Sequence, residues 1–220
     1  MKAETTSLDP DTLVETQLAL GQMHLDRGEP DKALEWFRAA ARSGDARALN
    51  MLGRAYERGW GIAANTKEAA VYFREAAERG DVWAMFNLAD LHCRGEGVER
   101  DETAAYALYA EAARRGHAKS LNMLGLFHED GAAVPRDLDR ALSFFQAGAK
   151  AGDCWAQFNA ARLLLSRGTT DEAIRWLTAS FETGFPDYFR HLAEALEGNA
   201  DPRLAAIGAE ARRLLAGVRP

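Results

Sequence analysis

Paired cysteines, a cationic excess and long apolar runs are all missing from this 220-residue chain. Cys93 and Cys154 are its only cysteines and neither has a CxxC neighbour, so neither a disulfide framework nor a zinc site is suggested. A reducing compartment, the cytoplasm, is the expected address. Lys and Arg number 27 against 33 Asp and Glu, for a formal charge of -6 and a pI near 5.5. That balance removes the long-range attraction to phosphate on which nucleic-acid and anionic-membrane binding rely, so neither is expected as a partner. Residues Met1 to Pro10 are polar and acidic, without an apolar run behind a basic start, and no secretory signal or membrane span is read there. Proline is also scarce, with six residues, while alanine is abundant throughout, which is a helical composition. The preference for arginine over lysine points to a bacterial source.

What is present is a repeat. Gly44, Gly80, Gly116, Gly152 and Gly184 follow one another at intervals of 36, 36, 36 and 32 residues, each closing a unit. Between them runs one template: Ala48, Leu52, Gly53, Tyr56, Gly59, Gly61, Ile62, Asn65, Ala69, Tyr72, Phe73, Ala76 and Ala77 reappear as Ala84, Leu88, Ala89, His92, Gly95, Gly97, Val98, Asp101, Ala105, Leu108, Tyr109, Ala112 and Ala113. Small or apolar residues at i, i+4 and i+8 place two amphipathic helices in each unit. Asn65, Asp101 and Asp137 are expected N-caps of the second helix, with Glu68 completing a capping box, and Asp81 and Asp153 are expected caps of the first. Gly53, Ala89 and Gly125 let a neighbouring helix approach. The columns Trp36, Tyr72, Leu108, Phe144, Trp176 and Phe37, Phe73, Tyr109, Phe145, Leu177 fill the space between. One such pair cannot bury its apolar face alone, so stacking is required.

The expected architecture is all-α, a right-handed α/α superhelical solenoid of helix-turn-helix repeats with a C-terminal capping helix. Its units are 13–44, 45–80, 81–116, 117–152 and 153–184, with a partial one at 185–200; residues 1–10 are a flexible start and 201–220 the cap. Asp9-Pro10 and Asp201-Pro202 read as N-caps followed by proline in the first turn. On the residues quoted, the three central units resemble the Sel-one-like repeat family, a 36-residue relative of the tetratricopeptide repeat. The first and fifth units lack the Gly-x-Gly loop and read as plain tetratricopeptide units, and Ala133 replaces the second loop glycine of the fourth.

The resemblance implies that first helices line a concave surface that receives a partner, and that the protein is a scaffold or adaptor for another protein or peptide. The side chains expected on that surface are Arg47, Asn50, Arg54 and Arg58, then Trp83, Phe86 and Asp90, then Lys119 and Asn122, then Trp155, Phe158 and Arg162. A longer period supports the order: Leu49-Asn50-Met51-Leu52-Gly53 recurs as Leu121-Asn122-Met123-Leu124-Gly125, and Asp81-x-Trp83-Ala84-x-Phe86-Asn87 as Asp153-x-Trp155-Ala156-x-Phe158-Asn159. Polar and aromatic rungs would alternate, which suits an extended peptide. The same residues also fit a purely structural role, the phenylalanines packed on the preceding unit and the arginines paired with neighbouring carboxylates.

Catalysis finds no support in the motifs. No Ser-His-Asp, Cys-His or nucleotide-binding pattern occurs in a context that gathers its members, and no cofactor or metal is expected. His24, His92 and His128 share the repeat position of Tyr56 and read as a packing column. Secreted members of the resembling family linked to cell-wall or penicillin binding carry paired cysteines in each repeat, which this chain lacks. An accessory or regulatory subunit that binds a small molecule or cell-wall fragment is the alternative reading.

Overall fold

A computed structural model describes residues 9–217, which contain twelve α-helices and no strand. They are α1 (Pro10–Asp26), α2 (Pro30–Ala41), α3 (Ala46–Arg58), α4 (Thr66–Glu78), α5 (Val82–Arg94), α6 (Glu102–Arg114), α7 (Ala118–Asp130), α8 (Leu138–Lys150), α9 (Cys154–Ser166), α10 (Thr170–Ala179), α11 (Pro186–Ala195) and α12 (Pro202–Gly217). The flexible start expected over residues 1–10 lies, up to residue 8, outside the described residues, and α1 already includes Pro10. The described residues form two compact units that divide between Ala112 and Ala113.

In the first unit α1 packs on α2, α2 on α3, α3 on α4 and α4 on α5. The column Phe37, Phe73 and Tyr109 is fully buried. Its close fit depends on what faces it: a Cβ added at Gly53 would stand 2.7 Å from the Phe73 ring, so a glycine there sets the distance between α3 and α4. The second unit repeats the order with α7 on α8, α8 on α9 and α9 on α10, and ends in the hairpin of α11 and α12. There a Cβ at Gly125 would fall 2.3 Å from Phe145. Leu204, Ile207 and Ala211 of α12 are buried, while Arg203, Arg212 and Arg213 face water, as their spacing predicts.

Helix starts follow the repeat. Asp45 accepts from the amides of Arg47 and Ala48, Asn65 from Lys67 and Glu68, Asp81 from Ala84, Asp101 from Ala104, Asp137 from Asp139 and Arg140, and Asp153 from Ala156. Two capping expectations need correction. Glu68 does not close a capping box, because the Asn65 amide already donates to the Tyr56 carbonyl at 2.8 Å. The same bond recurs from Asp101 to His92 and from Asp137 to His128, so this backbone link closes each long loop and leaves no donor for the box. Asp9 makes no side-chain cap; its carbonyl takes the Leu13 amide at 2.9 Å instead.

The long loops turn through left-handed residues. Gly59, Gly61, Gly95, Gly97 and Gly131 all have positive φ, and Ala133 keeps the geometry of the glycines it replaces with φ 58°. The repeat-closing glycines Gly44, Gly80, Gly116 and Gly152 are left-handed too, whereas Gly184 is not. A 3₁₀ turn over Ser180–Glu182 brings the chain to Gly184 differently, and the Phe189 ring lies where its Cβ would be.

Candidate functional site

In the first unit, the polar residues of the first helices are largely engaged with one another. Asn50 on α3 is buried and its side-chain oxygen accepts from Asn87 on α5 at 2.9 Å. Glu57, the penultimate residue of α3, accepts from Arg94 at 2.8 Å. Arg47 is exposed and held by Asp45 at 3.0 Å, with Glu15 of α1 at 3.4 Å. Arg58 is exposed and lies 3.9 Å from Glu57. Asp90 accepts the Tyr109 hydroxyl at 2.6 Å, a bond to the second helix of its own pair, and Phe86 leans on the Tyr109 ring at 5.4 Å. Burial first, then the Asp90 charge, pushes the Tyr109 hydroxyl far above its usual range, so it stays a hydrogen-bond donor. Arg54 is half-buried with its guanidinium over the Trp60 indole, 5.1 Å from the ring centroid. Trp83, at the start of α5, is 48% exposed.

The second unit repeats this pattern with one exchange. Asn159 on α9 donates to Asn122 on α7 at 2.9 Å, and both are buried. Glu129 takes the place of Glu57, yet its cation is Arg162, at 2.7 Å, one helical turn before the position equivalent to Arg94. The Glu129 hydrogen bond holds the Arg162 guanidinium above its ordinary range. The acid of the pair is fixed by the repeat while the base slides by a turn, because a long arginine side chain reaches the same carboxylate from either rung. Lys119 is exposed.

Trp155 and Phe158 are half-buried among side chains of the last hairpin. The Trp155 ring meets Tyr188 at 5.2 Å and Phe185 at 6.4 Å, both edge to face, and leans on His191 at 5.2 Å; Phe158 meets His191 edge to face at 4.9 Å. Phe185 is 42% exposed and His191 is exposed, so the cluster opens to solvent on that side. Phe185 and His191 belong to the segment with the weakest repeat signal, and sequence reasoning did not pick them out. Asn87 and Asn159 were equally unsuspected as partners; their only signal was that they sit at matching positions of the double repeat, whereas pairing of the arginines with neighbouring carboxylates was expected and is seen between Arg162 and Glu129.

The two thiols are held protonated, and three of the histidines have close neighbours. Burial raises the Cys93 thiol and pushes Cys154 up to about 11, so both remain thiols near neutrality. His24 lies 2.6 Å from Glu29, the Nδ1 of His92 is 3.2 Å from the Glu99 carbonyl, and His128 is buried and stacked on Phe144 at 5.3 Å. Of the three, His128 occupies the packing column that its repeat position indicates, while His24 and His92 turn a ring nitrogen to a neighbouring oxygen.

With the helix pairs and their side chains in place, the Sel1 repeat pattern matches residues 14–45, 46–81, 84–117 and 118–153. The chain belongs to the Sel1 repeat family. The match includes the first unit, which the missing loop glycines had set apart as a plain tetratricopeptide unit. That expectation is corrected because the unit keeps the family's helix-to-helix contact, with Gly21 closing on Phe37 as Gly53 does on Phe73. A Sel1 repeat protein from Oxalobacter formigenes superposes with a TM-score of 0.78 at 27% identity, over 94% of this chain and 91% of that one. A protective antigen of uropathogenic Escherichia coli with the same repeat fold gives 0.68 at 25% identity, over 93% of this chain and 48% of that one, so the Sel1 chain spans about half of that protein. An immunity protein from Pseudomonas aeruginosa gives 0.63 at 15% identity, over 96% and 82%, a likeness of fold alone. No curated protein matches the chain. Sel1 repeat proteins are generally protein-interaction scaffolds and are typically non-catalytic. Among the described residues no helix is long and apolar enough to cross a membrane.

Proposed function

We propose that this Sel1 repeat chain is a non-catalytic scaffold of the cytoplasm that holds a peptide or helix of another protein against its first helices. The observation that carries the reading is Trp83. It stands 48% exposed on a helix whose inward face, Ala84, Met85, Leu88, Ala89 and Leu91, is buried. The exposed part of the indole would gain about 25 cal/mol per Å² from a covering surface, and Trp is among the residues most often found at the energetic centre of interfaces. In the second unit the open cluster of Trp155, Phe158, Phe185 and His191 supports the same use. Within each unit the asparagine and glutamate–arginine bridges fix neighbouring first helices, so that a docking surface is set before a partner arrives and little ordering is left to oppose binding.

Selection of random-sequence peptides displayed on phage against the purified protein tests this reading. Recovery of a consensus that competes for one surface is expected. Failure to recover any binder, alongside thermal stabilisation by peptidoglycan fragments or metabolites, would replace the scaffold with the small-molecule reading, since a ligand bound to the folded state raises its stability by mass action.

A further inference from the structure

Among the described residues Arg54 is the one arginine that is not exposed, and it forms no ion pair. The exposed arginines Arg47, Arg58, Arg79, Arg94, Arg162 and Arg203 each have a carboxylate within 4.0 Å. The most desolvated guanidinium therefore lacks the counter-ion that less demanding ones possess. Burying a charge is costly unless it is paired, so the arrangement is an uncompensated one.

Its surroundings define what could compensate it. One face of the guanidinium lies on the Trp60 indole, which is itself steadied by the Phe37 ring at 6.4 Å. Nη1 points at the neutral Sδ of Met51 at 3.5 Å. Arg54 also lines a cleft of about 480 Å³ together with Gln22, Leu25, Asp26, Pro30 and Trp60. Burial, and then the positive charge of Arg58 one turn away, lowers the Arg54 pKa, the sense expected where negative charge is wanting. Glu57 relieves it little, because that carboxylate is bridged to Arg94.

The geometry points to this cleft as the seat of an acidic side chain, Asp or Glu, from the partner peptide. It rests on the scaffold reading and names one anchor of it. The planar guanidinium matches a carboxylate through two parallel N–H···O bonds. Leu25, Pro30 and the free edge of Trp60 offer apolar walls for the methylene stem. Asp26, already accepting from Gln22 at 2.8 Å, sets one negative charge at the cleft and so favours a singly charged carboxylate over a doubly charged phosphate, while remaining able to accept an N–H of the peptide backbone.

Two measurements test it. First, phage-displayed peptides are selected in parallel on the wild-type protein and on Arg54→Gln. The expected result is an Asp or Glu at one fixed position among wild-type binders, absent from the Arg54→Gln binders, with the other consensus positions shared; a synthetic wild-type binder should lose about tenfold or more in affinity for Arg54→Gln, the scale of a charge-assisted hydrogen bond. A consensus without an acidic position would overturn the inference and leave the scaffold reading intact, whereas no binders at all would undo the scaffold reading. Second, N-acetylglutamate amide and N-acetylglutamine amide are titrated while the Arg54 Nε–Hε resonance is followed. A shift with the glutamate compound alone, weak beside the selected peptide, is expected. Saturation by the isolated compound as tightly as by the peptide would assign the cleft to free carboxylates instead, and no shift would reject it as a carboxylate site. Unchanged circular dichroism of Arg54→Gln keeps both readouts interpretable.

Discussion

The side-chain amide of Asn159 donates to Asn122 at 2.9 Å, and Asn87 makes the same bond to Asn50 one double repeat earlier. Each bond ties two consecutive first helices at a buried point, where an amide left alone is expensive. Asn122→Ala is expected to cost about 1–3 kcal/mol in chemical denaturation because it strands the Asn159 donor. The double variant Asn122→Ala with Asn159→Ala should cost less than the sum of the singles; strict additivity would show that the two amides act independently.

Gly125 is held against Phe145 so closely that a Cβ would overlap the ring at 2.3 Å. Gly125→Ala should lower stability by about 1–3 kcal/mol by forcing α7 and α8 apart. Pairing it with Phe145→Leu should restore part of the loss, and a fully stable Gly125→Ala protein would disprove the close approach.

Ala133 sits in a left-handed conformation at φ 58° that its loop counterparts fill with glycine. Ala133→Gly removes the clash between Cβ and the backbone and is expected to raise stability by about 0.5–1 kcal/mol, the relief exceeding the added freedom of the unfolded chain. A fall in the melting temperature would count against that backbone geometry.

His117 caps α7, with its Nδ1 2.8 Å from the Ser120 hydroxyl. Burial, then the nearby Lys119 charge, lowers its pKa to about 4 from the usual 6.5. The unfolded chain therefore binds a proton between those values that the folded one does not. The contribution to stability is complete above about pH 6.5 and is lost as pH falls toward 4. Melting temperatures of wild type and His117→Asn should converge or cross on acidification through that window; parallel profiles would remove the histidine from the acid response.

Trp83→Ala should weaken a selected peptide by about 2 kcal/mol or more with the fold intact, as should Trp155→Ala if both units carry the same interaction. Titration calorimetry of each variant reads this directly. Unchanged affinity for Trp83→Ala would remove the exposed indole from the interface.

The spacing of glycines, alanines and aromatics was enough to set the helix pairs, most of their caps and the buried Phe37–Phe73–Tyr109 column, because each depends on contacts within a unit whose period the sequence displays. It also named the asparagines and arginines of the first helices. It did not reveal how they are used. Asn50 and Asn122 are occupied by Asn87 and Asn159, Asp90 turns to Tyr109, and the cation that meets Glu129 moves by one turn relative to the one that meets Glu57. Apart from the Asp90–Tyr109 bond within one helix pair, those choices are made between residues 33 to 37 positions apart, where several partners lie within reach and only packing selects one. Arg54 shows the difference most clearly: periodicity places it on a helix face, but only the folded chain lays it on Trp60 beside Met51 without an ion pair. A side chain's charge is written in the sequence, and its desolvation is decided by what the rest of the chain brings around it.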